Sequence, residues 1–172
     1  YVKNSEKIKD QLPGALTDIS AKTCVVVGTH LNPLQGRQTE DITINTLWGE
    51  LSYQIAGKQG YEEFKENDEK RIAPGKNKLK LFLSQQQPFV ILFDELLEYI
   101  AKASDVTIED VNLGRQTYAF IQELTETVAS IPHGMLVVTL PSSNLEDYTD
   151  SMEFGLDRLK QIFGRVETII SP

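Results

Sequence analysis

Residues Phe89-Val90-Ile91-Leu92-Phe93 are apolar at every position, and the run stops at two adjacent acids, Asp94-Glu95. Alternating apolar and polar residues would mark a strand with one wet face. An unbroken run marks a strand of a parallel sheet covered by helices on both faces. In open sheets of that kind ligands bind in the crevice beyond the carboxyl ends of the strands, where these acids stand. The segment therefore predicts an α/β fold and the place where its chemistry would occur.

Paired acids at such a strand end suit phosphoryl transfer. One carboxylate holds Mg²⁺, usually through water, and a neighbour orients the water that attacks a γ-phosphate. Asp94 is the candidate magnesium residue and Glu95 the candidate water-polarising base, together a Walker B element. The competing reading is structural. Asp94 would cap the next helix, and Glu95 would be an acid in its first turn, where the helix dipole favours negative charge.

The rest of the chain alternates strand-like and helix-like segments. Thr23 to Thr29 is a β-branched run followed by a polar loop, Asn32 to Asp41. Ile44, Leu47, Trp48, Leu51 and Ile55 recur at helical spacing, and Gly57 sits where a C-terminal stop belongs. Tyr61 and Phe64 predict a short further helix, and Pro74-Gly75 opens one carrying Leu79, Phe82 and Leu83. Leu96, Leu97 and Ile100 mark a helix after the acids. Tyr118, Ile121, Leu124 and Val128 mark a longer one, and Met135 to Leu140 form a third strand. A last helix holds Leu156, Leu159, Ile162 and Phe163, and a short strand is expected at Glu167 to Ile170. Tyr1 to Gln11 reads as the tail of a helix, so the chain reads as an excerpt of a longer protein. This order predicts one domain over residues 1–172, a three-layer, mostly parallel sheet with helices on both faces.

Composition narrows the function classes. A net charge of -8 argues against wrapping nucleic acid by general electrostatic attraction, which needs a positive face. Lys70, Arg71, Lys76, Lys78 and Lys80 cluster locally, but Leu79, Phe82 and Leu83 among them mark the buried stripe of a helix with a solvated basic face. No apolar stretch approaches the roughly 20 residues needed to cross a bilayer, and no signal-peptide pattern opens the chain, so a cytoplasmic location and no membrane partner are expected. Cys24 is the sole cysteine and lies within a strand, which predicts a buried structural thiol. His30 and His133 follow or precede turns and have no metal partner at ligand spacing.

Thr46-Leu47-Trp48-Gly49-Glu50-Leu51-Ser52-Tyr53-Gln54-Ile55-Ala56-Gly57, Ala73-Pro74-Gly75-Lys76, Val90 to Glu95 with Tyr99, and Leu136 to Pro141 together resemble large prokaryotic AAA+ ATPase-like proteins catalogued as a domain of unknown function, some of them implicated in phage defence. The resemblance covers most of the chain. It implies a P-loop ATPase using ATP and Mg²⁺, whose phosphate loop lies upstream of the segment like Tyr1 to Gln11. No G-x-x-x-x-G-K-[ST] occurs in these residues, and Gly75-Lys76 is no substitute. Without that backbone cradle and lysine, the chain by itself should bind ATP weakly or not at all. In such a sheet the strand before the phosphate loop lies between the last strand and the sensor strand, so upstream residues must supply it or the remaining strands pair differently.

The resemblance also assigns residues by position. Ser142 is the candidate sensor of the γ-phosphate, with Ser143 and Asn144 as alternatives. The competing role for all three is local turn bonding. Arg165 is the candidate arginine finger toward a neighbouring subunit's nucleotide, with Arg158 the weaker choice; a surface arginine at a helix C-terminus is the plain alternative. The leading expectation is an ATPase core that remodels a protein or nucleic-acid partner, as a possible homo-oligomer. Its rivals are a helicase-type motor and a degenerate, non-hydrolytic assembly module.

Overall fold

A computed structural model describes residues 20–39, 41–141 and 150–165 of the chain. The expected helix tail at Tyr1 to Gln11, the expected strand at Glu167 to Ile170, and Ser142 with Ser143 and Asn144 lie outside the described residues.

Three strands form a parallel sheet: β1 (Lys22–Val27), β4 (Phe89–Asp94) and β7 (Gly134–Val138), in the order β1-β4-β7. The remaining strands are two short antiparallel hairpins, β2 (Arg37–Gln38) with β3 (Thr43–Ile44), and β5 (Thr107–Ile108) with β6 (Val111–Asn112). The loop expected from Asn32 to Asp41 therefore contributes β2. Among the described residues five α-helices accompany the strands: α1 (Leu47–Glu69), α2 (Lys76–Ser84), α3 (Leu96–Ser104), α4 (Leu113–Val128) and α5 (Asp150–Phe163). None of them is long and apolar enough to cross a membrane.

The step from β1 to β4 to β7 runs in one direction across the sheet. Right-handed crossovers then deliver the connecting helices to the same face. Burial follows that geometry. Cys24 and Val26 of β1 are register partners of Ile91 and Phe93 of β4, and all four are buried in one core with residues of all five helices. Full burial of side chains such as Phe89, Ile91 and Phe93 contributes roughly 1.5–3 kcal/mol each. The opposite face carries Val25 at 50% exposure, Met135 at 49% and Val137 at 37%, with Val90 and Leu92 half-buried between them. The expectation of helices on both faces is thus met on one face only among the described residues. The apolar run of β4 accords with its central position in the sheet.

The two edges of the sheet are finished differently. Along β1 the Val25 N–H donates to Gln54 Oε1 at 2.8 Å, and Gln54 Nε2 donates back to the Val25 carbonyl at 2.9 Å. A side-chain amide from α1 thereby takes the place of a neighbouring strand, a device that blunts an edge. β7 is the other edge strand, with no strand partner on its outer side among the described residues.

Candidate active site

β4 ends at Asp94, and Glu95 turns the chain into α3 with φ 52 and ψ 37, the left-handed region. A non-glycine residue there costs energy and is held only where its surroundings insist on it. Glu95 occupies the N-cap position of α3, but no side chain caps this helix terminus. Asp94 therefore does not cap α3, whereas Glu95 stands at the helix N-terminus, where the dipole favours an acid. Asp94 points elsewhere, and Glu95 sits in a backbone conformation that capping does not require.

Two threonines from the flanking strands hold the acids instead. β7 is parallel to β4, and one residue beyond its end Thr139 donates from its hydroxyl to Asp94 Oδ1. The same hydroxyl oxygen accepts the Glu95 backbone N–H at 3.2 Å. On the other side, Thr29 follows β1 in a short 3-10 turn, Gly28–His30, and its hydroxyl donates to Glu95 Oε2. Gly28 allows the approach, because a Cβ there would lie 2.1 Å from the Glu95 carbonyl oxygen. The four side chains thus meet at the carboxyl ends of all three parallel strands. Asp94 is half-buried and Glu95 exposed, so both carboxylates are open to solvent and to a ligand.

The carboxylates suit a hydrated magnesium ion. Mg²⁺ keeps several waters and takes one or two carboxylates plus substrate phosphates rather than an all-protein cage. Asp94 offers Oδ2, which carries no hydrogen bond among the described residues, while its Oδ1 is oriented by Thr139.

Arg165 is exposed, just past α5. Arg158 stacks over the Tyr118 ring at 4.2 Å from its centroid, a structural use of its charge. Lys76 pairs with Glu126 at 2.7 Å and Lys78 donates to Asn67 at 2.8 Å, so the basic cluster is a solvated helix face. Cys24 is fully buried, and burial pushes its thiol up, which keeps it protonated. A cavity of about 580 Å³ runs along the outer edge of β1, lined by residues including His30, Arg37, Tyr53 and Gln54; neither acid lines it.

The sequence matches the DUF499 N-terminal domain over residues 3–169. The chain belongs to that family. No curated protein and no solved structure matches the chain. The span of the DUF499 N-terminal domain includes Thr29, Asp94, Glu95 and Thr139, together with the Thr46 to Gly57 segment.

That segment has a structural explanation in this DUF499 domain. α1 breaks at Ala56-Gly57, where Gly57 takes φ 63, and its two arms fold back on each other. Thr46 caps the first arm by accepting the Gly49 N–H at 3.1 Å and donates its own hydroxyl to Asp68 on the second. Gly49 must lack a side chain, since a Cβ would lie 2.2 Å from Asp68 Oδ1. Glu50 is buried and takes Arg37 Nε at 2.8 Å and Gln54 Nε2 at 2.6 Å, and Gln54 closes the edge of β1. The segment thus steadies the strand whose end presents Thr29.

Thr29 and Thr139 are not among the site residues expected from sequence. Each is absorbed there into a β-branched or apolar strand run, and their side-chain contacts to Glu95 and Asp94 span 66 and 45 residues. The parallel pairing of three strands is the signal that brings them forward, because residues that end adjacent parallel strands converge.

Proposed function

We propose that this chain is the hydrolytic core of an AAA+-like P-loop ATPase, using ATP and Mg²⁺ to remodel a protein or nucleic-acid partner within a longer polypeptide. The observation that carries this reading is the Asp94-Glu95 pair at the end of the central parallel strand, each acid held by a threonine from a neighbouring strand. The outer edge of β7, without a partner among the described residues, leaves a place beside the threonine-bearing strand for the strand that precedes a phosphate loop.

Asp94 would hold the magnesium ion, which when bound neutralises charge on the β- and γ-phosphates. Glu95 aligns a water for in-line attack and accepts its proton as the new bond to the γ-phosphorus forms and the bond to the bridging oxygen breaks. Thr139 fixes Asp94 through its hydroxyl. Thr29 sets the orientation of Glu95. The backbone cradle for the phosphates has to come from residues outside these 172, since no G-x-x-x-x-G-K-[ST] occurs among them. Absence of such a loop from the full-length protein would favour the second reading, a degenerate fold used as an assembly module.

The two readings part on magnesium. In the full-length protein, Asp94→Asn is expected to raise the Mg²⁺ concentration for half-maximal ATP turnover by about tenfold or more, an effect of ~1.4 kcal/mol. An unchanged magnesium dependence contradicts the role given to Asp94, and a full-length wild-type protein without turnover contradicts the proposal and favours the assembly module.

A further inference from the structure

Across the open face of the sheet the strand register aligns two rows, Thr23-Val90-Met135 and Val25-Leu92-Val137. Three of the seven large apolar side chains exposed among the described residues, Val25, Met135 and Val137, stand on these rows, so exposed apolar surface is concentrated here. Parallel sheets are buried on both faces, and a contiguous apolar patch marks a contact surface.

Chain connectivity selects what covers it. A further parallel strand could pair only at an edge of the sheet. At β1 the outward N–H and carbonyl of Val25 are both taken by Gln54, whereas β7 is free on its outer side among the described residues. A strand supplied from upstream, as the proposed function requires, therefore pairs beside β7. From there the chain must pass back across β7 and β4 to enter β1 at Lys22, against the direction of the later crossovers. Right-handed crossovers that run in opposite directions lie on opposite faces, so this connection is delivered to the open face.

Residues 1–19, outside the described residues, lead into β1. Their sequence suits a one-sided cover. Tyr1, Ser5, Ile8 and Leu12 recur at i, i+4, i+7 and i+11, one face of a helix, while Lys3, Glu6, Lys7 and Asp10 fall on the other side and Pro13-Gly14 ends the pattern. At about 1.5 Å per residue, residues 1–12 would span roughly 18 Å, close to the roughly 20 Å of strands the length of β1 and β4.

We propose that residues 1–12 pack as an amphipathic helix on the open face of the sheet, with Tyr1, Ile8 and Leu12 against the rows around Leu92. The choice of face rests on the upstream strand of the proposed function and not on hydrolysis itself.

Cross-linking in the full-length protein tests it. A short bifunctional maleimide is applied to the pair Ile8→Cys with Met135→Cys and to a control pair, Ile8→Cys with Leu81→Cys, and the links are mapped by mass spectrometry. Leu81 is exposed on α2, on the helix-covered side. Docking raises the effective concentration of one thiol beside the other, so intrachain linkage of the first pair is expected at least about tenfold above the control. Equal yields, no link to position 135, or links only between chains overturn the proposal, the last assigning the face to a second copy. Wild-type Met135 gives a readout that needs no substitution: its oxidation by peroxide should be at least about tenfold slower in the native full-length protein than in urea, and an equal rate overturns the proposal. Neither readout involves nucleotide. A full-length protein that shows the link but no ATP turnover supports this proposal while contradicting the proposed function.

Discussion

Glu95 carries both features that distinguish the strand end from an ordinary helix start: a left-handed backbone and a side chain bound by Thr29 from another strand. A hydrogen bond to a charged group is worth about 1.5–3 kcal/mol, enough to fix a carboxylate that would otherwise sample several rotamers. Thr29→Val in the full-length protein removes the bond at nearly constant shape. On the proposed function Thr29 is a positioning residue, so turnover is expected to fall by about 10- to 100-fold with KM unchanged, and Thr29→Ser to restore most of it. A fall in apparent affinity at constant turnover would place Thr29 in ground-state binding instead. Thr139 belongs to the same residue-scale pattern. The family resemblance points to Ser142 as the sensor, three residues later and outside the described residues. The contact that can be traced to the acids comes from the strand end itself.

At the scale of elements, the folded-back α1 depends on Asp68. This carboxylate is buried without a cation and accepts bonds from Thr46 Oγ1, from Asn45 N and Nδ2 at 3.0 Å each, and from Tyr61 Oη at 3.0 Å. Gly49→Ala would drive a methyl into it and is expected to cost roughly 1–3 kcal/mol in urea unfolding, while a loss below about 0.5 kcal/mol would contradict the packing described. Burial raises the Asp68 carboxyl above the ordinary range, and its hydrogen bonds only partly offset this. A raised value in the folded state gives stability that is fully present below the unfolded value, about pH 4, and is lost as pH rises through the folded value. The unfolding free energy of wild type minus that of Asp68→Asn is therefore expected to fall as pH rises above about 4, and a rising difference would contradict it. Most elements were legible because their apolar residues repeat at 3.6 or run unbroken. Gly57 was legible as a stop, since the second arm of α1 was expected as a separate helix. The hairpins β2-β3 and β5-β6 were not, because two-residue strands are too short to carry a period. The carboxylates were legible as a strand-end pair, while their threonines depended on register, which local pattern does not encode.

The whole molecule is polarised. All five described helices share one core on one side of the parallel sheet, the other side exposes Val25, Met135 and Val137, and the acids stand at the carboxyl end. A net charge of -8 adds to the case against a general electrostatic grip on nucleic acid, so any such partner would have to be held by more local contacts. What this architecture is proposed to do comes down to one carboxylate. Single-turnover release of phosphate from γ-labelled ATP, with bound nucleotide quantified in the same samples, should be compared for full-length wild type and Glu95→Gln. The account expects equal nucleotide binding and a loss of phosphate release of at least about a hundredfold, ~2.7 kcal/mol in the barrier. Equal release by the two proteins would contradict it.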